Sequence, residues 1–171
     1  MRDGRPVRCY GLVRQGYPAV RDVLVADALG VFQRATNTAA ARTDALGTEL
    51  HVRLGSIEIG AGITIAVNAV TERIDAREIA ATRIDLEWRA TKRPGLFPSM
   101  KASLSIYPLS ATETQLDLQG QYTPPLGVIG SAADALMLHR LAEAAVGHFV
   151  TEVADRLRHD LEGSGTHAYV H

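Results

Sequence analysis

A single cysteine, Cys9, stands in the 171 residues, so neither an internal disulfide nor a thiolate zinc site can form. A reducing cytoplasmic compartment is the expectation. No stretch of about 18 apolar residues occurs, which is roughly what a spanning helix needs, and integral membrane association is not expected. The start, Met1-Arg2-Asp3-Gly4-Arg5-Pro6, lacks the apolar stretch and small-residue cleavage site of a secretory signal, so no export is expected. Aromatic residues are scarce at 5%, and neither sign of charge is in excess, with 18 basic residues against 19 acidic ones. That balance supplies no field for a phosphate backbone, so no nucleic-acid partner is expected. The GxSxG elbow, the GxxxxGK[ST] phosphate loop and the GxGxxG fingerprint are all missing, which removes the common hydrolase and nucleotide-binding readings.

What is present is the composition of one folded domain: 46% hydrophobic and 22% charged residues, a length suited to a single core, and a net charge of -1. A domain over residues 1–162 with a flexible C-terminal tail over 163–171 is the expected organisation. Val7 to Val13 reads as a first strand. Gly16-Tyr17-Pro18 then turns the chain into helix from about Ala19 to Ala35, with Val20, Val23, Leu24, Leu29 and Phe32 at mostly helical spacing. Gly30 is expected to divide this stretch into two short helices, and residues 36–47, rich in Thr, Ala and Asn, read as an irregular connector.

From Thr48 the period changes to two. Leu50, Val52 and Leu54 lead to Gly55-Ser56, a glycine-first pair suited to a type II′ hairpin turn. Ile57 to Ala69 then continues in one phase, with Gly60 and Gly62 suggesting a bulge. After a polar turn over residues 72–77, Ile84, Leu86, Trp88 and Ala90 alternate with Arg83, Asp85, Glu87 and Arg89. Met100, Ala102, Leu104 and Ile106 form a second such strand, and Leu116, Leu118, Gly120 and Tyr122 a third. Short links make an antiparallel meander the expectation. Ser131-Ala132-Ala133-Asp134 is similar to a capping box. At 100° per residue, Leu138, Leu141, Ala142, Ala145, Val146, Phe149, Val150, Val153 and Leu157 share one arc of a long helix that lies against the sheet and ends at Gly163-Ser164-Gly165.

This order of elements resembles the helix-grip fold of the START-like (SRPBCC) superfamily, and the resemblance covers most of the chain. Its most specific piece is Leu116 to Leu157, where a strand ending in Tyr122 passes through Pro124-Pro125-x-Gly127 and Gly130 into the long helix, as in bacterial polyketide cyclase/dehydrase-like members. Trp88-Arg89-Ala90 and Leu96-Phe97-Pro98 look like the same group. The resemblance implies an α+β fold: a curved antiparallel sheet of six or seven strands packed around the C-terminal helix, with two short helices after strand 1. It also implies an apolar cavity for a lipid, polyketide or isoprenoid-like molecule.

The apolar phase of the strands between Leu50 and Tyr122 holds no ionisable Asp, Glu, Lys, Arg or His; Thr82, Thr114 and the Tyr122 hydroxyl are its polar members. A wall of this kind binds by apolar burial, or else simply fills a closed core. The lining expected for a ligand is Ile65, Val67, Leu86, Trp88, Phe97, Leu104, Ile106, Leu118, Tyr122, Leu141, Ala145 and Phe149. Trp88 reads as a core anchor or as a pocket wall that donates its indole N–H to a ligand oxygen. Leu96 and Phe97 form either a loop over the cavity mouth or a plug in the core, and Cys9 reads as a small buried hydrophobe.

His139 and His148 border the helix's apolar arc, so with Tyr122 they are the candidates for acid/base chemistry. The alternative is a helix-flank histidine paired locally, for instance His148 with Glu152. Nine residues separate the two histidines, about 13.5 Å along the axis, so they cannot share a metal; no metal and no cofactor is expected. Three readings follow. The first is binding or transport of a hydrophobic small molecule, the second a cyclase/dehydratase-like enzyme using Tyr122, His139 or His148, and the third a protein-interaction module that uses the exposed sheet or helix surface, a homodimer being one form of it.

Overall fold

The computed structural model describes residues 4–49, 63–90, 99–123 and 132–166. In chain order the elements are β1 (Arg5–Val13), α1 (Tyr17–Glu49), β2 (Ile63–Ile74), β3 (Ala80–Ala90), β4 (Ser99–Ser110), β5 (Glu113–Thr123) and α2 (Ala132–Thr166). The five described strands form one antiparallel sheet in the order β1-β5-β4-β3-β2. Strands β2 to β5 follow one another as a meander, and β1 returns to pair with β5. The expected hairpin turn at Gly55-Ser56, the bulge at Gly60 and Gly62, and the loop with Leu96 and Phe97 lie outside the described residues.

Alternation decides which face each strand buries. Ile84 and Leu86 on β3, Met100, Leu104 and Ile106 on β4, and Leu116, Leu118 and Tyr122 on β5 are all buried, as are Thr82 and Thr114 in the same phase. The intervening residues face outward and carry the charge. Among these, Arg8, Arg83 and Arg89 on β1 and β3 pair with Asp117, Asp85 and Glu87.

Both helices cover the inner face side by side and pack extensively on each other, α2 chiefly over β1 and α1 over β2. Phe32 meets Phe149, and six residues on, Thr38 meets Arg156, seven residues beyond Phe149. The second segment of α1 and α2 therefore run in the same direction. Val146, Phe149, Val150, Val153 and Leu157 on α2, and Val20, Leu24, Val31 and Phe32 on α1, are buried. Burying one such side chain is worth about 1.5–3 kcal/mol, so this seam is a main source of stability. At β1 the approach is close: a Cβ placed on Gly11 would sit 2.7 Å from Val150 Cγ1.

Several expectations are corrected. The break in α1 falls at Asp27 (φ -150°, ψ 55°), three residues before Gly30. The Asp27 carboxylate accepts the Gly30 N–H at 2.9 Å, which makes it the cap of the second segment. Residues 36–47 are helix, not connector, and α1 runs to Glu49. Ala39 to Ala41 and Ala45 supply the highest intrinsic helix propensity, which outweighs the Thr and Asn residues among them. The two short helices expected after strand 1 are thus one kinked 33-residue element whose second segment is long. Leu29, expected on the buried face, is 51% exposed.

Strand β2 continues to Ile74 instead of turning at Glu72, and the turn follows at Asp75, whose carboxylate accepts the N–H groups of Arg77 and Ile79. A register shift between Val67 and Ala69 inserts Asn68 as a bulge. The single phase expected through Ala69 therefore breaks, and Val70 instead stands opposite Ile84. Finally, α2 passes through Gly163 and ends at Thr166.

Candidate functional site

One cross-strand row places the candidate residues. Ile65 stands opposite Trp88, Trp88 opposite Met100, Met100 opposite Tyr122, and Tyr122 opposite Arg5. The row lies near the end of the sheet where β2 begins, β3 and β5 finish, and β4 starts. Ile65, Met100 and Tyr122 are buried, and Trp88 packs against the core. The next inner row runs through Val67, Leu86, Ala102, Gly120 and Val7. Leu104, Leu118 and Ile106 continue the apolar wall deeper along the strands.

At the β5 edge of this row, Tyr122 Oη lies 2.7 Å from His139 Nδ1, with the two rings stacked at 5.8 Å between centroids. The other ring nitrogen, Nε2, is 3.2 Å from Glu143 Oε1, one turn further along α2. A carboxylate at Nε2 favours the tautomer with its proton there, which leaves Nδ1 to accept the Tyr122 O–H. Tyr122 is 3% exposed, and burial holds its phenol above the usual tyrosine range, while nearby Arg5 acts in the opposite direction. The three groups form a chain from the inner wall, through the imidazole, to an exposed carboxylate.

In the middle of the row, Trp88 meets Phe149 edge to face, with centroids 4.9 Å apart and planes at 82°. Phe149 in turn meets Phe32 at 5.7 Å. The indole Nε1 of Trp88 is shielded from solvent and has no hydrogen-bond partner. By contrast, the deeper polar members are paired: Tyr17 and Thr82 share a hydrogen bond of 2.7 Å, and the Thr114 hydroxyl donates to the Gln15 carbonyl at 2.7 Å.

Of the acid/base candidates, Tyr122 and His139 are brought together, and His148 lies about 13.5 Å further along α2. Of the lining candidates, Ile65, Val67, Leu86, Trp88, Leu104, Ile106, Leu118, Tyr122 and Phe149 belong to the core or pack against it. Ala145 is half-buried. Phe97 and the side chain of Leu141 lie outside what is described. Cys9 is partly buried beside the core, and burial pushes its thiol up, away from the reactive thiolate.

Sequence reasoning missed Glu143, whose i,i+4 spacing from His139 is the signal that could have found it. The burial of Glu152 was also unforeseen. It lies one turn before Arg156, on the flank of α2 that the Arg156–Thr38 contact turns toward α1. Among the described residues, ionised side chains enter the inner phase only on the edge strands: Arg5 opposite Tyr122, and Glu72, which the β2 bulge brings opposite Thr82 and which lies 3.8 Å from Arg21 of α1.

An open depression of about 770 Å³ lies on the other, outer face, with Arg8, Arg83, Asp85, Glu87, Lys101 and Gln119 at its surface. Arg8 grips Asp117 through Nε (3.0 Å) and Nη2 (2.8 Å), and Gln119 adds a third contact. Arg83 holds Asp85, and Arg89 holds Glu87. These pairings join the arginines of that face to its carboxylates, and Lys101 adds an attractive charge near Glu87. Among the described residues no cluster of three or more His, Cys, Asp or Glu could hold a metal ion, and no helix is long and apolar enough to cross a membrane.

A five-stranded antiparallel sheet with a long C-terminal helix across its inner face is an α+β arrangement consistent with a helix-grip fold. The Zhui aromatase/cyclase from Streptomyces sp. R1128 superimposes with a TM-score of 0.50 over 94% of this chain and 98% of that one, at 15% identity, a likeness of fold. A START superfamily protein from Mycobacterium smegmatis gives 0.45 at 13% identity over 91% and 99% of the two chains. TTHA0849 from Thermus thermophilus gives 0.44 at 10% identity over 90% and 97%. No protein-family model and no curated protein matches the sequence.

Proposed function

We propose that this protein binds a hydrophobic small molecule, of lipid, polyketide or isoprenoid type, between its sheet and its C-terminal helix, as a cytosolic binding or transfer protein. The observation that carries the reading is the division of the sheet. The ionised strand side chains of the inner phase are confined to the edge strands, Arg5 beside Tyr122 and Glu72 beside Thr82, while Ile65, Val67, Leu86 and Met100 surround Trp88. A lining of this kind rewards area and shape, at about 25 cal/mol per Å² of apolar surface before ordering costs. Native mass spectrometry against lipid and polyketide-like panels tests it. One molecule retained per chain is expected, and a chain that stays empty against every apolar class contradicts it.

A second reading, a cyclase- or dehydratase-like enzyme, is favoured by the 2.7 Å contact between Tyr122 and His139. Protonated at both nitrogens, His139 donates to the phenol oxygen and frees the Tyr122 O–H for a substrate carbonyl. Cyclisation or dehydration of a β-keto thioester, lost in Tyr122→Phe and in His139→Ala, is the expected signature. Turnover unchanged in both variants removes these residues from the chemistry.

A further inference from the structure

Trp88 is the chain's single tryptophan, and its buried indole N–H is unpaired. Buried indoles ordinarily find an acceptor, because an unmade hydrogen bond leaves the full desolvation penalty of the donor in place. Around Trp88 the cross-strand neighbours are Ile65 and Met100, and the ring packed against it is Phe149. An aromatic face accepts an N–H only weakly, so that contact compensates a fraction of the loss. Beyond Phe149 comes Phe32, and one turn further along α1 the Thr36 hydroxyl is also unpartnered, in a residue 3% exposed. Trp88 Nε1 and Thr36 Oγ1 therefore flank one aromatic cluster, and the third unpartnered buried atom among the described residues, Arg156 Nε, lies farther along the seam of the two helices. The other inward polar groups, Tyr17 with Thr82, Thr114 and Tyr122, are already paired within the protein.

Resting on the hydrophobic-ligand reading, we infer that the ligand carries a neutral oxygen acceptor, of carbonyl or ether type, that takes the Trp88 indole N–H. A hydrocarbon of the same skeleton leaves that donor unpaired, so the site selects the oxygenated molecule over its hydrocarbon counterpart. The cation of that row, Arg5, stands at its far edge opposite Tyr122, with Met100 and Tyr122 between it and Trp88, so a carboxylate at the indole meets no cation among the strand residues beside Trp88.

Anthrone and 9,10-dihydroanthracene share a tricyclic skeleton and differ by one carbonyl, and a protein with one tryptophan gives one indole N–H resonance. Titration of the ¹⁵N-labelled full chain with each probe is expected to show anthrone binding about five- to tenfold more tightly. It should also move the indole proton downfield, which dihydroanthracene should not. In Trp88→Phe the preference should vanish while dihydroanthracene still binds. A thermal melt reports whether the variant is folded, and the wild-type resonance gives its answer independently of it. Equal affinities with an unmoved indole proton overturn the inference and leave the hydrophobic-ligand reading standing, as does an anthrone preference retained in Trp88→Phe. Failure of both probes to bind overturns the two together.

Discussion

Tyr122 and His139 join the last strand of the sheet to the first turns of α2 through a single hydrogen bond of 2.7 Å. The bond spans 17 residues of sequence, and Glu143 backs the imidazole from its other side. It is both a clamp at one end of the helix and the chemically distinctive spot on an otherwise quiet wall.

The clamp is measurable as a coupling. A double-mutant cycle of Tyr122→Phe and His139→Leu, read by chemical denaturation, should give about 0.5–1.5 kcal/mol of interaction energy. Glu143→Gln should cost less, because that carboxylate is half-exposed. A coupling near zero would mean that the bond does not form in solution.

Burial raises the Tyr122 phenol above its ordinary value. Above pH of about 10 the unfolded chain releases this proton before the folded one does, so the folded state binds more protons and loses stability as pH rises. The contribution is complete below that pH and fades above it. Tyr122→Phe should therefore flatten the alkaline limb of a Tm-versus-pH curve, and an unchanged limb would assign the effect elsewhere.

On the outer face the sign is reversed. Arg8 holds the Asp117 carboxyl below its usual range, against the opposing effect of burial, with Gln119 assisting. The stability it confers is present above the ordinary aspartate pKa and is lost as pH falls through the depressed one. Asp117→Asn should cost about 1 kcal/mol near neutral pH, roughly 2–4 °C in Tm. That difference should shrink in acid; one that grows in acid would contradict the pairing.

Much of this arrangement is legible from alternation. The inward phases of β3, β4 and β5, with Thr82, Thr114 and Tyr122 as their polar members, follow from period-two patterning alone, and the buried arc of α2 from period 3.6. Other features hinge on single residues whose effects are tertiary. The break at Asp27 depends on its carboxylate reaching the Gly30 N–H, and the bulge at Asn68 on pairing with β3. Neither leaves a periodic signal. Tyr122 and His139 could each be picked out, but their meeting depends on where α2 lands on β5, which spacing does not encode.

The landing of α2 is itself testable at Gly11. A methyl group there meets Val150 Cγ1 at 2.7 Å, so Gly11→Ala should destabilise by about 1–3 kcal/mol. Adding Val150→Ala should recover part of that loss by opening space. Additive losses in the double variant would place the helix farther from β1.

Phe149 joins the two helices to Trp88, and its truncation should be the costliest change in the interior. Phe149→Ala is expected to lose about 3–5 kcal/mol and to shift the emission of Trp88, the edge-to-face partner. An unaltered tryptophan spectrum in a folded variant would separate the two rings.

The most direct test asks where an apolar ligand sits. With ¹³C-methyl-labelled protein and 9,10-dihydroanthracene, intermolecular NOEs should connect the probe to Val67, Leu86 and Met100 on the inner rows and to the Trp88 ring. NOEs confined to the outward-facing Leu12 and Leu109, or no saturable binding at all, would contradict a hydrophobic site between the sheet and the last helix.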